Sequence, residues 1–326
     1  MKCLFVILAV MFLFAPSAYA DTNSVTSETS APSVLEMYVQ GEIYPTGNND
    51  PQAVADAITA SNLTVPILAL FHVNCSLATC PDGQSPVGSH DGDIAFNDTL
   101  IIRDGEYVGD SNWPCIIHSL RAGKVQQIFA SFGGYGVPDY ARIGKIITKY
   151  GTGQNSPLYE NFLVLKNLLD LNGIDFDDED NYDKNVIVSF AEMLLGMGLE
   201  ITFVPYTHQE FWASAIQALG TQNVKWINLQ CYAGGKFNNP ADWADMGVPL
   251  TAGVCADCSA PQTTCSSKDV QDAFTLWTTG EGSVNSSCWE GEFTEPTQLL
   301  GGFIWNYSEV ANDLDTYVDA MKNGLS

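Results

Sequence analysis

The residues of this chain best able to do chemistry are acids in one short run, Leu168-Leu-Asp-Leu-Asn-Gly-Ile-Asp-Phe-Asp-Asp-Glu179. Asp175, Asp177 and Glu179 fall at every second position, and on a strand every second side chain shares a face, roughly 7 Å apart along the backbone. Ile174 and Phe176 then point the other way, where helices can cover them. Like charges so close cannot all ionise at neutral pH, so at least one proton is retained. Glu179, at the C-terminal end of the run, is the expected holder, placed to give that proton to a leaving-group oxygen. Two plainer readings fit less well. A calcium loop over Asp175 to Asp183 would lack the glycine at its sixth position and the distal glutamate, and it would begin inside an apolar strand. A solvated acidic turn would not start within a strand.

No other constellation competes. His72, His90, His118 and His208 show no zinc-protease spacing, no GxSxG elbow occurs, and Gly151-Thr-Gly153 is no phosphate cradle. His208, just past the fifth expected strand, could line a groove. Trp113, Trp212 and Trp289 fit either sugar-stacking surfaces or ordinary core packing.

The acids need a frame, and the chain alternates between two periods that supply one. Eight apolar runs have strand character: Val34–Val39, Val65–Val73, Val125–Ser131, Gly173–Asp178, Ile201–Pro205, Val224–Tyr232, Val248–Val254 and Gly302–Trp305. Segments of helical period follow most of them, among them Pro51–Ala60, Ser156–Leu171, Tyr182–Leu195, Gln209–Leu219, Asp269–Thr278 and Glu309–Met321. Asp50-Pro51 and Thr207 stand where helices should start, and Gly196, Gly198 and Gly220 where they should stop. Eight strands alternating with helices predict an α/β protein, a (β/α)₈ TIM barrel. A doubly wound open sheet would need fewer strands and a glycine-rich phosphate turn, which Gln40-Gly41-Glu42-Ile43 does not supply. Residues 74–112 and 255–292 read as long cysteine-bearing loops that either shape a groove or merely decorate the surface.

With strands assigned, four segments carry a family likeness. Asn172-Gly-Ile-Asp175-Phe-Asp177-Asp-Glu179 resembles the DGxDxDxE signature of glycoside hydrolase family 18, the chitinases and endo-β-N-acetylglucosaminidases, with Asn172 in place of the first Asp. Ser131-Phe-Gly133-Gly134 is similar to that family's SxGG motif, Gln230-Cys-Tyr232 to its QxY variant, and Trp305 sits where it keeps a Trp on the last strand. The four occur in order between residues 131 and 305, each at an expected strand. The resemblance implies retaining, substrate-assisted cleavage of β-1,4 bonds next to N-acetylhexosamine, outside the two-carboxylate scheme. On that reading Glu179 is the acid and base, Asp177 accepts the acetamide N–H, and Asp175 holds a shared proton and tunes Asp177. Tyr232 donates to the acetamide carbonyl. Trp305 floors the sugar, and Gln230, Ser131, Gly133 and Gly134 complete the substrate-binding set, Ser131 and the glycines packing close beneath the strand-four acids. Asn172, at the start of the strand, is expected to matter little. The string Gly-Ile-Asp-Phe-Asp-Asp-Glu179 leans toward the secreted endo-β-N-acetylglucosaminidases. Chitin or chito-oligosaccharides are the first substrate expectation and N-glycan cores the alternative. A non-catalytic lectin on the same barrel typically loses the terminal acid, which this chain keeps. A storage or inhibitor protein on the scaffold is the remaining reading.

Composition bounds the rest. The 326 residues are 46% hydrophobic and 16% charged, enough for a large core, and their formal net charge is −25. Nucleic acid and anionic membrane surfaces are therefore not expected partners. The expected partner is an N-acetylglucosamine-containing saccharide, with no metal or cofactor and a monomer as the default. Met1-Lys2, an apolar run, and Ala18-Tyr19-Ala20 read as a secretory signal over residues 1–20. A flexible lead-in over 21–32 and the hydrolase domain over 33–326 follow, giving a secreted protein. Beyond Cys3, eight cysteines allow up to four disulfides, with Cys75, Cys80 and Cys115 as one local set and Cys255, Cys258, Cys265 and Cys288 as another. Cys255-x-x-Cys258 could also be half a zinc site, although no second ligand pair follows. Asn62, Asn74, Asn97 and Asn285 open glycosylation sequons.

Overall fold

The computed structural model describes residues 34–74, 89–258 and 264–326. The expected signal 1–20, the lead-in 21–32, Cys75 and Cys80 lie outside the described residues. Eleven strands are described: β1 (Val34–Val39), β2 (Val65–Val73), β3 (Ile94–Phe96), β4 (Thr99–Arg103), β5 (Glu106–Tyr107), β6 (Phe129–Gly133), β7 (Gly173–Asp177), β8 (Glu200–Phe203), β9 (Trp226–Gln230), β10 (Leu250–Cys255) and β11 (Gly301–Trp305). Eight are parallel neighbours in the order β1-β11-β10-β9-β8-β7-β6-β2, and β1 pairs again with β2, which closes the ring. Helices run between successive barrel strands, so the molecule is the expected (β/α)₈ barrel.

Closure explains the apolar runs. A barrel strand is buried on its helix-facing side and on its lumen side, so it does not alternate with solvent. All nine residues of β2 are buried. On β7, Ile174 and Phe176 face outward, and the Phe176 ring meets Phe190 and Phe203 at 5.2 and 5.5 Å. Inside, Phe129 and Trp226, which begin β6 and β9, pack at 5.3 Å and plug the base of the lumen. Helix ends follow local chemistry. The Asp50 carboxylate accepts from Ala53 N at 3.1 Å, capping Pro51–Ala60, and Ser266 with Asp269 forms a capping box on Ser267–Thr279. Gly220 ends Gln209–Leu219 with φ at +84°, a conformation favourable to glycine.

The departures from expectation have local causes. The polar stretch 74–112 is not simply a loop, because its described part holds an antiparallel ribbon of β3, β4 and β5 continuing from β2. Asp104-Gly105, both at positive φ, make its tight turn, and the strands were too short to show a period. Strand β6 starts at Phe129 rather than Val125, because Gln126 N and Gln127 N bond back to Thr64 O in a connecting turn. Helices Trp113–Ser119 and Asp139–Tyr150 have no side-chain cap, so the usual start signal is missing. The expected helix Glu309–Met321 divides into Tyr307–Val310 and Leu314–Gly324 around Asn312-Asp313, poor helix formers.

Cys255–Cys258 and Cys265–Cys288 are disulfides, and Cys115 is also disulfide-bonded. Cys231, one of the eight cysteines counted toward the bridges, is buried and free. The pair weighed as half a zinc site is joined to itself, with Glu309 Oε2 at 3.4 Å from Cys255 Sγ. Among the described residues no helix is long and apolar enough to cross a membrane.

Candidate active site

Strand β7 aims Asp175 and Asp177 into the lumen and leaves Glu179 two residues past its end. Gly173 starts the strand because a Cβ there would lie 2.2 Å from the Phe129 ring. The turn after β7 is tied down by Asp178. Its Oδ1 accepts from Asn181 N at 2.8 Å and its Oδ2 from Tyr182 N at 2.9 Å, so this carboxylate fixes the loop carrying Glu179. At the strand start, Asn172 Oδ1 accepts from Ile128 N at 2.9 Å and Arg121 Nη2 at 2.7 Å. Both are acceptor roles an aspartate would also fill.

The two buried aspartates have opposite surroundings. Asp175 is 0% exposed and receives four hydrogen bonds. Tyr38 OH and Ser131 Oγ reach Oδ2 at 2.9 Å each, while Thr202 Oγ1 and Asn228 Nδ2 reach Oδ1 at 2.7 and 3.1 Å. Burial raises its pKa and these four contacts oppose the rise. Four donors saturate a carboxylate, so the ionised form of Asp175 is well satisfied in spite of its burial. Asp177 is 4% exposed, and its Oδ1 is buried with no hydrogen-bond partner. Burial pushes its pKa well above the usual carboxylate range, and the charges of Glu179 and Asp175 push it further. Burial also raises Glu179, opposed by hydrogen bonds from Gln230 and Asp177. Burial raises both acids, and the hydrogen bond between them raises Asp177 and lowers Glu179, an arrangement that favours one proton held between the pair.

A cavity of about 510 Å³ opens above this pair. Tyr38, Leu70, Val204, Tyr232 and Trp305 give it apolar walls, and Asp177, Glu179 and Gln230 its polar end. Trp305 leans on Tyr38 at 5.2 Å between ring centroids. Tyr232 is only 7% exposed, and burial followed by the Asp177 and Glu179 charges raises its phenol well above the normal range, so it stays a donor. Such a chamber, aromatic on its walls and acidic at one end, suits a ligand with both an apolar face and polar groups.

No protein-family model and no curated protein sequence matches the chain. Solved structures do. A fungal endo-β-N-acetylglucosaminidase of glycosyl hydrolase family 18 matches with TM-score 0.57 at 15% identity over 88% of this chain and 97% of that one. The family 18 chitinase ChiB from the chitin utilization locus of Flavobacterium johnsoniae matches with TM-score 0.53 at 14% identity over 91% and 94%. The chain has the fold of the family 18 glycoside hydrolases. The chitinase-like agglutinin of Robinia pseudoacacia shares this family 18 fold, with TM-score 0.50 at 15% identity over 89% and 99%.

Within that fold, Asp177, Glu179, Gln230, Tyr232, Trp305 and Gly134 line one cavity, and the other residues singled out from the sequence lie beneath it or away from it. Ser131 is fully buried and donates to Asp175, so it positions an acid instead of touching sugar. Gly133 lies beneath the strand, where a Cβ would come within 2.0 Å of Asp177 O, whereas Gly134 reaches the cavity wall. Gln230 lines the cavity and also donates to Glu179 Oε1 at 3.3 Å and Val204 O at 3.0 Å. His208 stacks on Tyr182 at 4.1 Å and is absent from the cavity wall. Trp113 and Trp212 are core residues.

Sequence reasoning missed Tyr38, Thr202 and Asn228, the partners of Asp175, and also Glu36. Glu36 is fully buried and takes a hydrogen bond from Trp226 Nε1 at 3.2 Å. Burial, then the Asp175 charge, raises its pKa well above the ordinary value. The signal was present as single polar residues inside otherwise apolar barrel strands. Tyr135, which is 82% exposed, and Tyr206 also border the cavity and were not anticipated.

Proposed function

We propose that this protein is a glycoside hydrolase that cleaves β-1,4 bonds next to N-acetylglucosamine by retaining, substrate-assisted catalysis. Chitin-type oligosaccharides are the first candidates and N-glycan cores the second. One observation carries the reading: Asp177 and Glu179, hydrogen-bonded to each other and both raised by burial, stand at the polar end of a cavity walled by Trp305 and Tyr232, and on this reading they share one proton. That proton leaves through Glu179 to the glycosidic oxygen. Asp177, now a carboxylate, accepts the acetamide N–H and stabilises the cation formed when the acetamide oxygen attacks C1 and the bond to the protonated leaving oxygen breaks. Tyr232 donates to that oxygen and orients it. Glu179, deprotonated, then takes a proton from the water that opens the ring.

The test is hydrolysis of a fluorogenic chitobioside or chitotrioside. Glu179→Gln is expected to lose about a hundred- to ten-thousand-fold in kcat with little change in fold. Equal turnover by both proteins would end the enzyme reading. The lectin reading, which the agglutinin's fold keeps in view, predicts binding without turnover by either protein.

We also propose that the protein is exported after removal of residues 1–20, since its disulfides suit an oxidising compartment. The secreted chain should begin at Asp21 by N-terminal sequencing, and a protein retained with Met1 would refute this.

A further inference from the structure

Two disulfides follow β10, and their surroundings differ. Cys265–Cys288 spans a sequence separation of 23, and both residues are buried. Cys255–Cys258 spans a separation of 3, so this bridge restrains little of the unfolded chain. Cys255 is buried at the end of β10, in register with Trp305 of β11, whereas Cys258 is exposed. Cys258 also borders both the cavity of about 510 Å³ and a neighbouring one of about 430 Å³, which leaves room for a reductant to approach its sulfur.

The buried sulfur has a partner at hand. Glu309 Oε2 lies 3.4 Å from Cys255 Sγ and accepts from Asp257 N at 2.9 Å, so the short ring itself holds the carboxyl in place. Burial raises the pKa of Glu309, with the backbone hydrogen bond from Asp257 opposing the rise. An acid so placed can protonate a sulfur that leaves as thiolate. A thiolate shed at Cys265 would instead form inside the hydrophobic core, where burial disfavours the charge.

We propose that Cys255, Cys258 and Glu309 form a dithiol–disulfide exchange site, a redox centre on the wall of the acidic cavity. It stands apart from the hydrolase reading, because thiol exchange needs no sugar. One thiol of a dithiol reductant gives its proton to water and attacks the exposed Cys258 Sγ. The Cys255–Cys258 bond breaks, and its electron pair leaves on Cys255 Sγ, which takes the proton of Glu309. The second thiol of the reductant, deprotonated in turn, attacks the mixed disulfide and departs as the reductant's own disulfide. Cys258, released as thiolate, takes a proton from water. The carboxylate left on Glu309 accepts a hydrogen bond from the new Cys255 S–H until water returns its proton. Two electrons have then passed from the reductant to the bridge.

The test exposes the protein to dithiothreitol at neutral pH, quenches with acid, alkylates the released thiols in denaturant and reads them by peptide mass spectrometry. Cys255 and Cys258 are expected to open together, at least about tenfold faster than Cys265 and Cys288. A parallel pulse of N-ethylmaleimide, given before any unfolding, should mark Cys258 and spare Cys231, which is free and buried. Both readings are made on the wild-type protein. Glu309→Gln keeps an acceptor for Asp257 N but has no proton to give, and its bridge should open about tenfold more slowly. The proposal is overturned if the pair opens no faster than Cys265–Cys288, or if Cys258 is marked only when Cys231 is. A Glu309→Gln protein that spares Cys231 and exchanges as fast as wild type overturns it too.

Discussion

Asp175 and Asp177 are two residues apart on one strand, yet four donors reach the first carboxylate while Oδ1 of the second has no partner. The Asp175 charge is one of the causes that raise Asp177, after burial and the Glu179 charge. In the proposed mechanism catalysis needs a proton held by the Asp177–Glu179 pair, so activity should fail on the alkaline side when the pair releases it. Asp175→Asn deletes one of the charges that raises the pair. Its alkaline limb in kcat/KM should therefore move to lower pH, by about one unit. The optimum rate should also drop, because an amide cannot accept from four donors. A pH–rate profile measures both, and an alkaline limb that stays in place would show that Asp177 does not feel its neighbour. Glu36 behaves differently. Its pKa is raised by burial first, and it is not among the main charges that raise Asp177 or Glu179, so Glu36→Gln should leave the limb where it is.

At the scale of the element, β7 delivers these residues only because β6 approaches it closely. Gly134 N donates to Asp177 O at 2.8 Å, and Gly133, at φ +116°, has backbone where any side chain would stand. Gly133→Ala should destabilise the protein by about 1–3 kcal/mol through strain at that dihedral. By displacing Asp177 it should also lower kcat more than tenfold or so. Gly136→Ala is the control, since φ is +74° there too but nothing lies within 4 Å of the added Cβ. Urea melts and kcat for both variants check the pair, and equal activity loss would mean that strain alone matters. The same element shows how much could be read beforehand. The alternation of Asp175, Asp177 and Glu179 with Ile174 and Phe176 was visible because strand period is a local property. The identity of Asp175's partners was not, because Tyr38, Thr202 and Asn228 come from three other strands whose register only closure sets. The β3–β5 ribbon stayed hidden for a related reason: strands of two to five residues carry too little pattern to be seen alone.

The whole molecule concentrates acids where water is scarce. Glu36, Asp175, Asp177, Asp178 and Glu179 all have their pKa values raised, burial being the largest cause for each. A carboxyl raised on folding binds its proton more tightly in the native than in the unfolded state. Its contribution is fully present below the unfolded value, near 4.5 for a glutamate, and is lost as pH rises through the folded value. The formal charge of −25 acts in the same sense, since self-repulsion of the compact state grows as the remaining carboxyls ionise. Among the described carboxyls Asp91 is shifted the other way by Lys149, but it sits mostly exposed, where screening blunts the effect. The melting temperature should therefore rise as pH falls from 8 toward about 5. Scanning calorimetry across that range decides it, with Glu36→Gln as the internal check. A glutamine cannot ionise, so the slope between pH 5 and 8 should flatten in the variant while the value at pH 5 barely changes. A wild-type maximum above pH 7 would mean that the buried acids are ionised in the folded protein, and the proton shared above Asp175 would have to be abandoned with them.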